Sequence, residues 1–336
     1  MKTQQLRTAN KVIDSAEYSA PGKVILCGEH AVVYGYPAII SSINLAFTWR
    51  IQTNQENDRE NNAEHIRHKL AKKTDKLLAM NSLDEVVACI QSLFPKAITF
   101  ESTIPQGSGL GSSAALAVSL AKLLLPDKAT LEEIRELANS FEKMQHGNPS
   151  GGDITASCYG GLIWYQKNLT NNTWSFEQLK TNKQNQLPSF WLLNSGQPKE
   201  STKIMVEKVA SLRNENQKKV DAAFSKMEEI AHSWKKVLSN SINSSGTTQE
   251  LIHELINQNQ KALETISVCS NKTLDLIDSL KKIGAAAKVT GAGGVEEGSG
   301  MVLISHPDSE KIQQWAHQHQ QTLVPITLAT EGNNHA

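Results

Sequence analysis

The chain has 336 residues, in which 34 lysines and arginines balance 34 aspartates and glutamates, and its four cysteines form no CxxC pair. The length suits two domains of roughly 150 residues each. The balanced charge argues against nucleic acid or an anionic membrane as a partner, and the scattered cysteines argue against a disulfide framework or a zinc site. No apolar run approaches the roughly 18 residues that cross a bilayer, so the composition predicts a soluble cytoplasmic protein.

The chain opens with a segment that is predicted to be rich in β-strands. Apolar stretches mixed with Gly and Pro occupy residues 17–53, and apolar side chains alternate strictly from residue 43 to residue 51. We expect Lys23 to open a strand in this segment and Glu29 and His30 to close it. Taken alone, such a lysine is usually solvated and such a histidine is usually structural. The polar residues 54–62 predict an exposed loop.

A Gly/Ser-rich loop lies between a predicted strand at residues 97–103 and a predicted buried helix at residues 113–125. Its glycines let backbone N–H groups approach phosphate oxygens, and the helix N-terminus adds a positive dipole end. The loop has neither the lysine of a Walker A motif nor the GxGxxG spacing. Two hydroxyls at the first helical turn favour a phosphate cradle over a simple tight turn. The residues of this cradle are Pro105, Gly107, Ser108, Gly109, Leu110, Gly111, Ser112, Ser113 and Ala114.

A second loop carries the candidate general base. Thr130 begins a pattern that resembles a capping box, and the helix that follows is expected to run to about His146. The loop after this helix contains Asp153. A carboxylate near an alcohol can accept its proton during phosphoryl transfer, so Asp153 is a candidate base. The alternative is that Asp153 merely caps the following turn.

The second half of the chain is predicted to be mainly helical. Amphipathic patterns at residues 199–239 and 247–282 indicate two long helices. The other predicted elements are strands at residues 161–166, 190–194, 301–305 and 322–328, a helix at residues 309–320 and a second glycine loop at residues 290–300. We find no internal repeat and place the domain boundary near residue 187, which gives domains of residues 1–187 and 188–336.

Three of these segments occur in the order that is found in the GHMP small-molecule kinases, and the chain resembles this family. Residues 105–114 resemble the phosphate-binding motif of the family, residues 20–29 its first motif and residues 288–294 the start of its third. The resemblance implies a two-lobed α+β fold with ATP bound in the cleft. It also implies a left-handed βαβ unit in the N-terminal lobe, an exception to the usual right-handed crossover, and a ferredoxin-like C-terminal lobe.

The resemblance further implies a kinase that uses ATP and Mg²⁺ to phosphorylate a small molecule. The sequences GEHAVVYGYPAI (28–39) and HGNPSG (146–151) look most like those of members that phosphorylate mevalonate, whereas residues 151–161 also resemble members that act on phosphomevalonate. Lys23 and Asp153 match the catalytic pair, and Ser113 and Glu142 match the magnesium ligands. The implied substrate contacts are Lys23, Glu29, His30, Asp153, Gly291 and Ala292, with Ser201 or Thr202 as a further hydroxyl.

The third motif departs from the family pattern. The family usually continues it with small residues and a cysteine, whereas this chain has Val295, Glu296 and Glu297. Two carboxylates near a triphosphate would repel it unless they turn outward or face the metal. The departure leaves open a catalytically silent relative that binds a ligand and regulates a partner. The sequence does not determine the oligomeric state, and a homodimer is one option.

Overall fold

The computed structural model describes residues 13–54, 62–146, 150–180, 187–239 and 248–329. Most of the predicted loop at residues 54–62 and residues 147–149 of the HGNPSG segment lie outside these ranges. Two antiparallel sheets and their helices form two lobes. Among the described residues, no helix is both long and apolar enough to cross a membrane.

The first lobe contains a sheet of five strands, β1 (Ile13–Cys27), β2 (Ala38–Asn54), β3 (Ile98–Ser102), β4 (Leu162–Asn168) and β5 (Thr173–Leu179). β1 pairs with one edge of β2, while β3 and β4 both pair antiparallel with the other edge. β3 and β4 therefore run in the same direction and are joined through helices, as a βαβ crossover requires. The left hand of this crossover stays a prediction.

The helices of the first lobe position the glycine loop and the candidate base. They are α1 (Ala63–Ala71), α2 (Thr74–Leu78), α3 (Leu83–Leu93), α4 (Ser112–Leu124), α5 (Leu131–His146) and α6 (Gly152–Tyr159), with a 3-10 helix at Ala31–Tyr34. α4 packs on β1 and β2 and contacts α5 and α6, and its continuous apolar sequence is buried. α5 begins with the predicted capping box, in which Thr130 and Glu133 exchange hydrogen bonds.

The second lobe has the ferredoxin-like arrangement that the resemblance implies. Its strands are β6 (Phe190–Asn194), β7 (Ala286–Thr290), β8 (Met301–Ser305) and β9 (Leu323–Ile326), and its helices are α7 (Thr202–Glu215), α8 (Gln217–Leu238), α9 (Thr248–Thr265), α10 (Asn271–Lys282) and α11 (Ser309–Gln318). The antiparallel strand order is β7-β8-β6-β9. With helices after β6 and β8, this order is the βαββαβ ferredoxin-like topology.

The prediction of two long helices in the second half was wrong. Asn216, at φ −142° and ψ 66°, separates α7 from α8, and its side chain accepts a hydrogen bond from Lys219 N that caps α8. α9 and α10 are separated by a turn in which Ser267 is left-handed and Ser270 caps α10. Amphipathic periodicity continues across both breaks because each pair of helices faces the same lobe core, so hydrophobic pattern alone did not reveal them.

The two lobes share their core. The largest apolar cluster combines first-lobe residues such as Trp49 with second-lobe residues such as Leu192 and Trp234. After β9 the chain returns to the first lobe, where Ile43 pairs with Leu328 and Ala329 N donates to Ser42 O at 2.9 Å. The two sheets lie on either side of residue 187, but the predicted division into residues 1–187 and 188–336 stays a prediction.

A tight turn after β1 holds the chain that leads to Glu29 and His30. Gly28 is left-handed, with φ 94°, and a Cβ at this position would lie 2.4 Å from the Pro37 carbonyl oxygen. Contacts under 3.0 Å at a Cβ require the backbone to move. Only glycine therefore fits at position 28, where the chain leaves β1 and passes the start of β2.

We predict that Gly28→Ala destabilises the protein much more than Gly284→Ala. Both glycines are left-handed, with φ values of 94° and 89°, so both variants carry a penalty of about 1–2 kcal/mol. A Cβ on Gly284 meets only His306 Nε2 at 3.9 Å, whereas one on Gly28 meets backbone. Urea unfolding should show a loss of about 3 kcal/mol or more for Gly28→Ala. Equal losses for the two variants would contradict the close approach to Pro37.

Candidate active site

Lys23 and Asp153 form an ion pair in the first lobe. Lys23 Nζ lies 3.2 Å from Asp153 Oδ2, and the lysine side chain is buried while the carboxylate is 43% exposed. The prediction that Lys23 opens a strand was wrong, because it lies well inside β1, just after a shift in the register between β1 and β2. The extra residues at this shift lie on β2, where Ala46 and Ser42 are the partners of Pro21 and Lys23. Lys23 and Asp153 meet where β1 packs against α6.

Asp153 lies in the first turn of a helix rather than in the predicted loop. The left-handed Gly151, with φ 78°, is the N-cap of α6, and Gly152 packs against the ring of Tyr165. The Tyr165 hydroxyl donates to the Ser150 carbonyl oxygen, which fixes the entry to α6. The glycines allow a sharp helix start next to the tyrosine ring. Asp153 is therefore placed by a rigid element.

The glycine loop lies directly against β1 at Lys23. Lys23 N donates to Leu110 O at 2.8 Å, and a Cβ on Gly111 would lie 3.0 Å from Lys23 Cγ. Gly107 and Gly109 are left-handed, and Cβ atoms at these positions would meet nothing within 4 Å. The loop thus has an open side. Its cradle residues are Pro105, Gly107, Ser108, Gly109, Leu110, Gly111, Ser112, Ser113 and Ala114, all of which remain predicted nucleotide contacts.

The start of α4 suits an anionic ligand. Its N-cap is Gly111, which provides no side-chain cap for the first N–H groups of the helix. Amides at a helix N-terminus point outward along the axis, and the helix dipole favours negative charge there. The open glycine side and the uncapped helix start fit the phosphates of a nucleotide.

Ser113 and Glu142 meet between α4 and α5. Ser113 Oγ donates to Glu142 Oε1 at 3.1 Å, and the Glu142 side chain is buried. A hydroxyl and a carboxylate are oxygen ligands of the kind that Mg²⁺ prefers, and Mg²⁺ usually takes few protein ligands in addition to phosphate and water. No group of three or more His, Cys, Asp or Glu that could hold a metal occurs within the described ranges. The Ser113–Glu142 pair fits a metal that takes its other ligands from a nucleotide and water.

His30 connects the first motif with the third. Its backbone is left-handed at φ 60°, and its Nε2 lies 2.9 Å from Ala292 O. Since a carbonyl oxygen only accepts, Nε2 carries the proton and Nδ1 is an acceptor. Nδ1 is buried without a hydrogen-bond partner in the described structure, and burial lowers the pKa of His30. The predicted substrate contact thus offers one neutral acceptor.

Glu29 lies in the interface between the lobes. Its carboxylate forms an ion pair with Lys288 and accepts a hydrogen bond from Asn259 Nδ2 at 3.0 Å. Both charged side chains are fully buried, and Lys288 Nζ also donates to Ile25 O at 2.9 Å. The role of Glu29 as a substrate contact stays a prediction, but its burial favours a structural role. The sequence offered no signal for this pairing because the partners are distant in the chain.

The remaining predicted substrate contacts lie on two loops. Gly291 is left-handed, and a Cβ on it would lie 4.0 Å from Gly109 O, so the first and second glycine loops approach each other. Ser201 caps α7 by accepting a hydrogen bond from Ile204 N at 3.3 Å, and Thr202 is the exposed first residue of that helix. The structure gives Ser201 a local partner, which leaves Thr202 as the freer hydroxyl.

The altered third motif turns its carboxylates outward. Lys199 Nζ lies 3.0 Å from Glu297 Oε1 and 3.7 Å from Glu296 Oε2, and all three side chains are exposed. Beneath them, a buried hydroxyl cluster closes the loop through Ser195, Ser270, Thr273 and Ser299. Scattered serines carry no sequence pattern, so this cluster could not be predicted. The charge of the two glutamates is thus partly compensated at the surface.

We predict that Lys288→Met destabilises the protein by about 3–5 kcal/mol, because it leaves the buried Glu29 carboxylate without its counter-ion. The double variant Glu29→Gln with Lys288→Met should recover part of this loss, since neither charge remains. Lys281→Met, which removes an exposed pair with Asp278, is the control and should change stability by less than about 1 kcal/mol. Urea unfolding measures all three, and a harmless Lys288→Met would contradict the buried pair.

Comparison with known proteins agrees with this geometry. Residues 76–161 match the family model described as GHMP kinases N terminal domain. The mevalonate kinase of Archaeoglobus fulgidus is 34% identical over 297 residues, which cover 82% of this chain and 88% of that protein. A crystal structure of a mevalonate kinase is 26% identical, with a TM-score of 0.67 over 94% of this chain and 100% of that one. The L. major mevalonate kinase in complex with R-mevalonate shares the fold, with a TM-score of 0.69 and 18% identity over 95% of this chain and 98% of that one. This chain therefore belongs to the mevalonate kinase family of the GHMP kinases.

Proposed function

We propose that this protein transfers the terminal phosphoryl group of ATP to the 5-hydroxyl of mevalonate, which gives 5-phosphomevalonate for isoprenoid precursor synthesis. The observation that carries the proposal is the Lys23–Asp153 ion pair, which lies against the open glycine loop through the bond from Lys23 N to Leu110 O. Family membership supports the same reaction. Its reactants are small molecules in solution, which suits the cytoplasmic location expected from the composition.

Asp153 is the proposed general base. Its carboxylate accepts the proton of the substrate hydroxyl while that oxygen forms its bond to the phosphorus and the bond to ADP breaks. The partial exposure of Asp153 lets a substrate reach it, whereas the buried Lys23 holds Oδ2 in place from behind. Lys23 also places a positive charge next to the oxygen that attacks, where it compensates developing negative charge.

The glycine loop and the start of α4 are the proposed triphosphate site. Backbone amides there hold phosphate oxygens, and Ser113 and Glu142 hold Mg²⁺. When bound, Mg²⁺ neutralises charge on the phosphate oxygens. The outward position of Glu296 and Glu297 supports this assignment, because Lys199 balances the two carboxylates on the surface.

His30 supports a substrate that carries a hydroxyl group. Its buried Nδ1 is an acceptor, so it suits a hydroxyl donor better than a second acceptor such as a carboxylate. We propose that it binds an alcohol group of mevalonate, with Ala292 fixing the ring from the other side. Gly291 and either Ser201 or Thr202 complete the proposed substrate contacts.

Two alternatives remain from the sequence. A phosphomevalonate kinase would need extra cations for the phosphate that its substrate already carries. Lys199, on the segment before α7, is instead paired with two glutamates, which favours mevalonate. A catalytically silent relative would have no need of a general base or a metal ligand. In this chain the candidate base Asp153 is paired with Lys23, and the candidate metal ligands Ser113 and Glu142 are hydrogen-bonded to each other.

A coupled assay of ADP release tests the substrate. The purified protein should turn over mevalonate with ATP and Mg²⁺ at a rate at least tenfold above that with phosphomevalonate, because relatives that are 34% and 31% identical to it are mevalonate kinases. Turnover of phosphomevalonate alone would replace the proposal by its rival. ATP binding in calorimetry without turnover of either compound would favour the silent relative.

We predict that Asp153→Asn lowers kcat by roughly 10²-fold or more, the size expected when a general base is lost. ATP affinity should stay the same, because the glycine loop contacts β1 independently of Asp153. Asp84→Asn on α3, an exposed carboxylate far along the chain from the motifs, is the matched control. Steady-state kinetics together with ATP calorimetry measure both effects, and a near-normal kcat would remove Asp153 from the mechanism.

A further inference from the structure

Ser157 attaches the helix of Asp153 to the strand of Lys23. It lies four residues after Asp153 on α6, so both side chains project from the same face of the helix. Ser157 Oγ donates to the Pro21 carbonyl oxygen at 2.7 Å, and the serine is only 1% exposed. α6 is therefore attached to β1 at two points, through Ser157 at Pro21 and through Asp153 at Lys23.

The bond from Ser157 falls on the edge of β1 that faces away from β2. β1 lies at the end of its sheet and, among the described strands, pairs only with β2, so the backbone groups on its other edge have no partner in these strands. Two residues further on, Lys23 N uses the same edge to donate to Leu110 O. The Pro21 carbonyl needs a hydrogen bond from elsewhere, and the hydroxyl of Ser157 supplies it.

We propose that Ser157 is a positioning residue for the phosphoryl transfer, an inference that rests on the proposed function. The ion pair holds the first turn of α6 through a carboxylate that is 43% exposed. The short bond of Ser157 fixes the distance between α6 and β1 one helical turn away, in the buried part of the helix. It thereby sets where the Asp153 carboxylate stands relative to Lys23 and the attacking hydroxyl.

The effect of Ser157 should be confined to the chemical step. The glycine loop is attached to β1 by its own bond, from Lys23 N to Leu110 O, and α4 carries Ser113. Loss of the Ser157 hydroxyl leaves these contacts in place. A shift of about 1 Å in a reacting group can change the rate by up to roughly 10²-fold, whereas nucleotide binding does not depend on that group.

The test compares Ser157→Ala with Ser157→Thr. We expect Ser157→Ala to lower kcat about tenfold or more while the KM for ATP stays within about twofold, and Ser157→Thr, which keeps the hydroxyl, to recover most of kcat. Ser119→Ala is the matched control, because Ser119 is also a buried helical serine but donates within its own helix, to Leu116 O. Its kcat should be unchanged.

Several results would overturn the inference. These are a Ser157→Ala variant with normal kcat, an equal loss in Ser119→Ala, or a KM for ATP that rises in step with the fall in kcat. If Ser157→Ala does not fold, Ser157→Cys, with a weak donor of similar size, replaces it and should give a kcat below that of Ser157→Thr. The kcat ratios of the variants are measured with whichever alcohol the wild-type protein phosphorylates. If the wild-type protein does not phosphorylate mevalonate, the proposed function fails, but the test of Ser157 can still be made.

Discussion

The free edge of β1 around Pro21, Gly22 and Lys23 is the constraint on which the candidate site depends. At this one place the strand accepts α6, presents Lys23 to Asp153 and donates its backbone N–H to the glycine loop. Gly22 makes the approach of the loop feasible, because a Cβ there would lie 2.9 Å from Leu110 O. A strand in the middle of a sheet could not serve these neighbours, since adjacent strands would use its backbone groups on both edges, whereas β1 pairs only with β2 in the sheet that the structure describes.

The structure holds two lysine–carboxylate pairs with opposite tasks. Lys288 and Glu29 are sealed in the lobe interface, where desolvation makes the pair costly to form but very costly to break. In the Lys23–Asp153 pair only the lysine is buried, so a ligand can reach the carboxylate. Burial, rather than residue type, distinguishes the pair that holds the lobes together from the pair that can do chemistry.

The sequence was sufficient for the parts of the fold that local chemistry specifies. Capping at Thr130, the strands β6 and β8 and the glycine loop at residues 105–111 follow from short-range patterns, and family resemblance supplied the ferredoxin-like lobe. The helix break at Asn216, the helical placement of Asp153 and the burial of Glu29 were missed. Each of these depends on partners that are distant in the chain or on a single capping side chain, and periodicity is blind to both.

The return of residues 327–329 to β2 has a consequence for folding. Thr327 N donates to Asn44 Oδ1 at 2.8 Å, a contact that spans 283 residues of chain, and Ile43 pairs with Leu328 beside it. Contacts between residues that are distant in sequence carry a high loop-closure entropy and slow folding. The hairpin of β1 and β2 can therefore form from local contacts, whereas Ile43 gains its cover only when the last strand of the second lobe has docked.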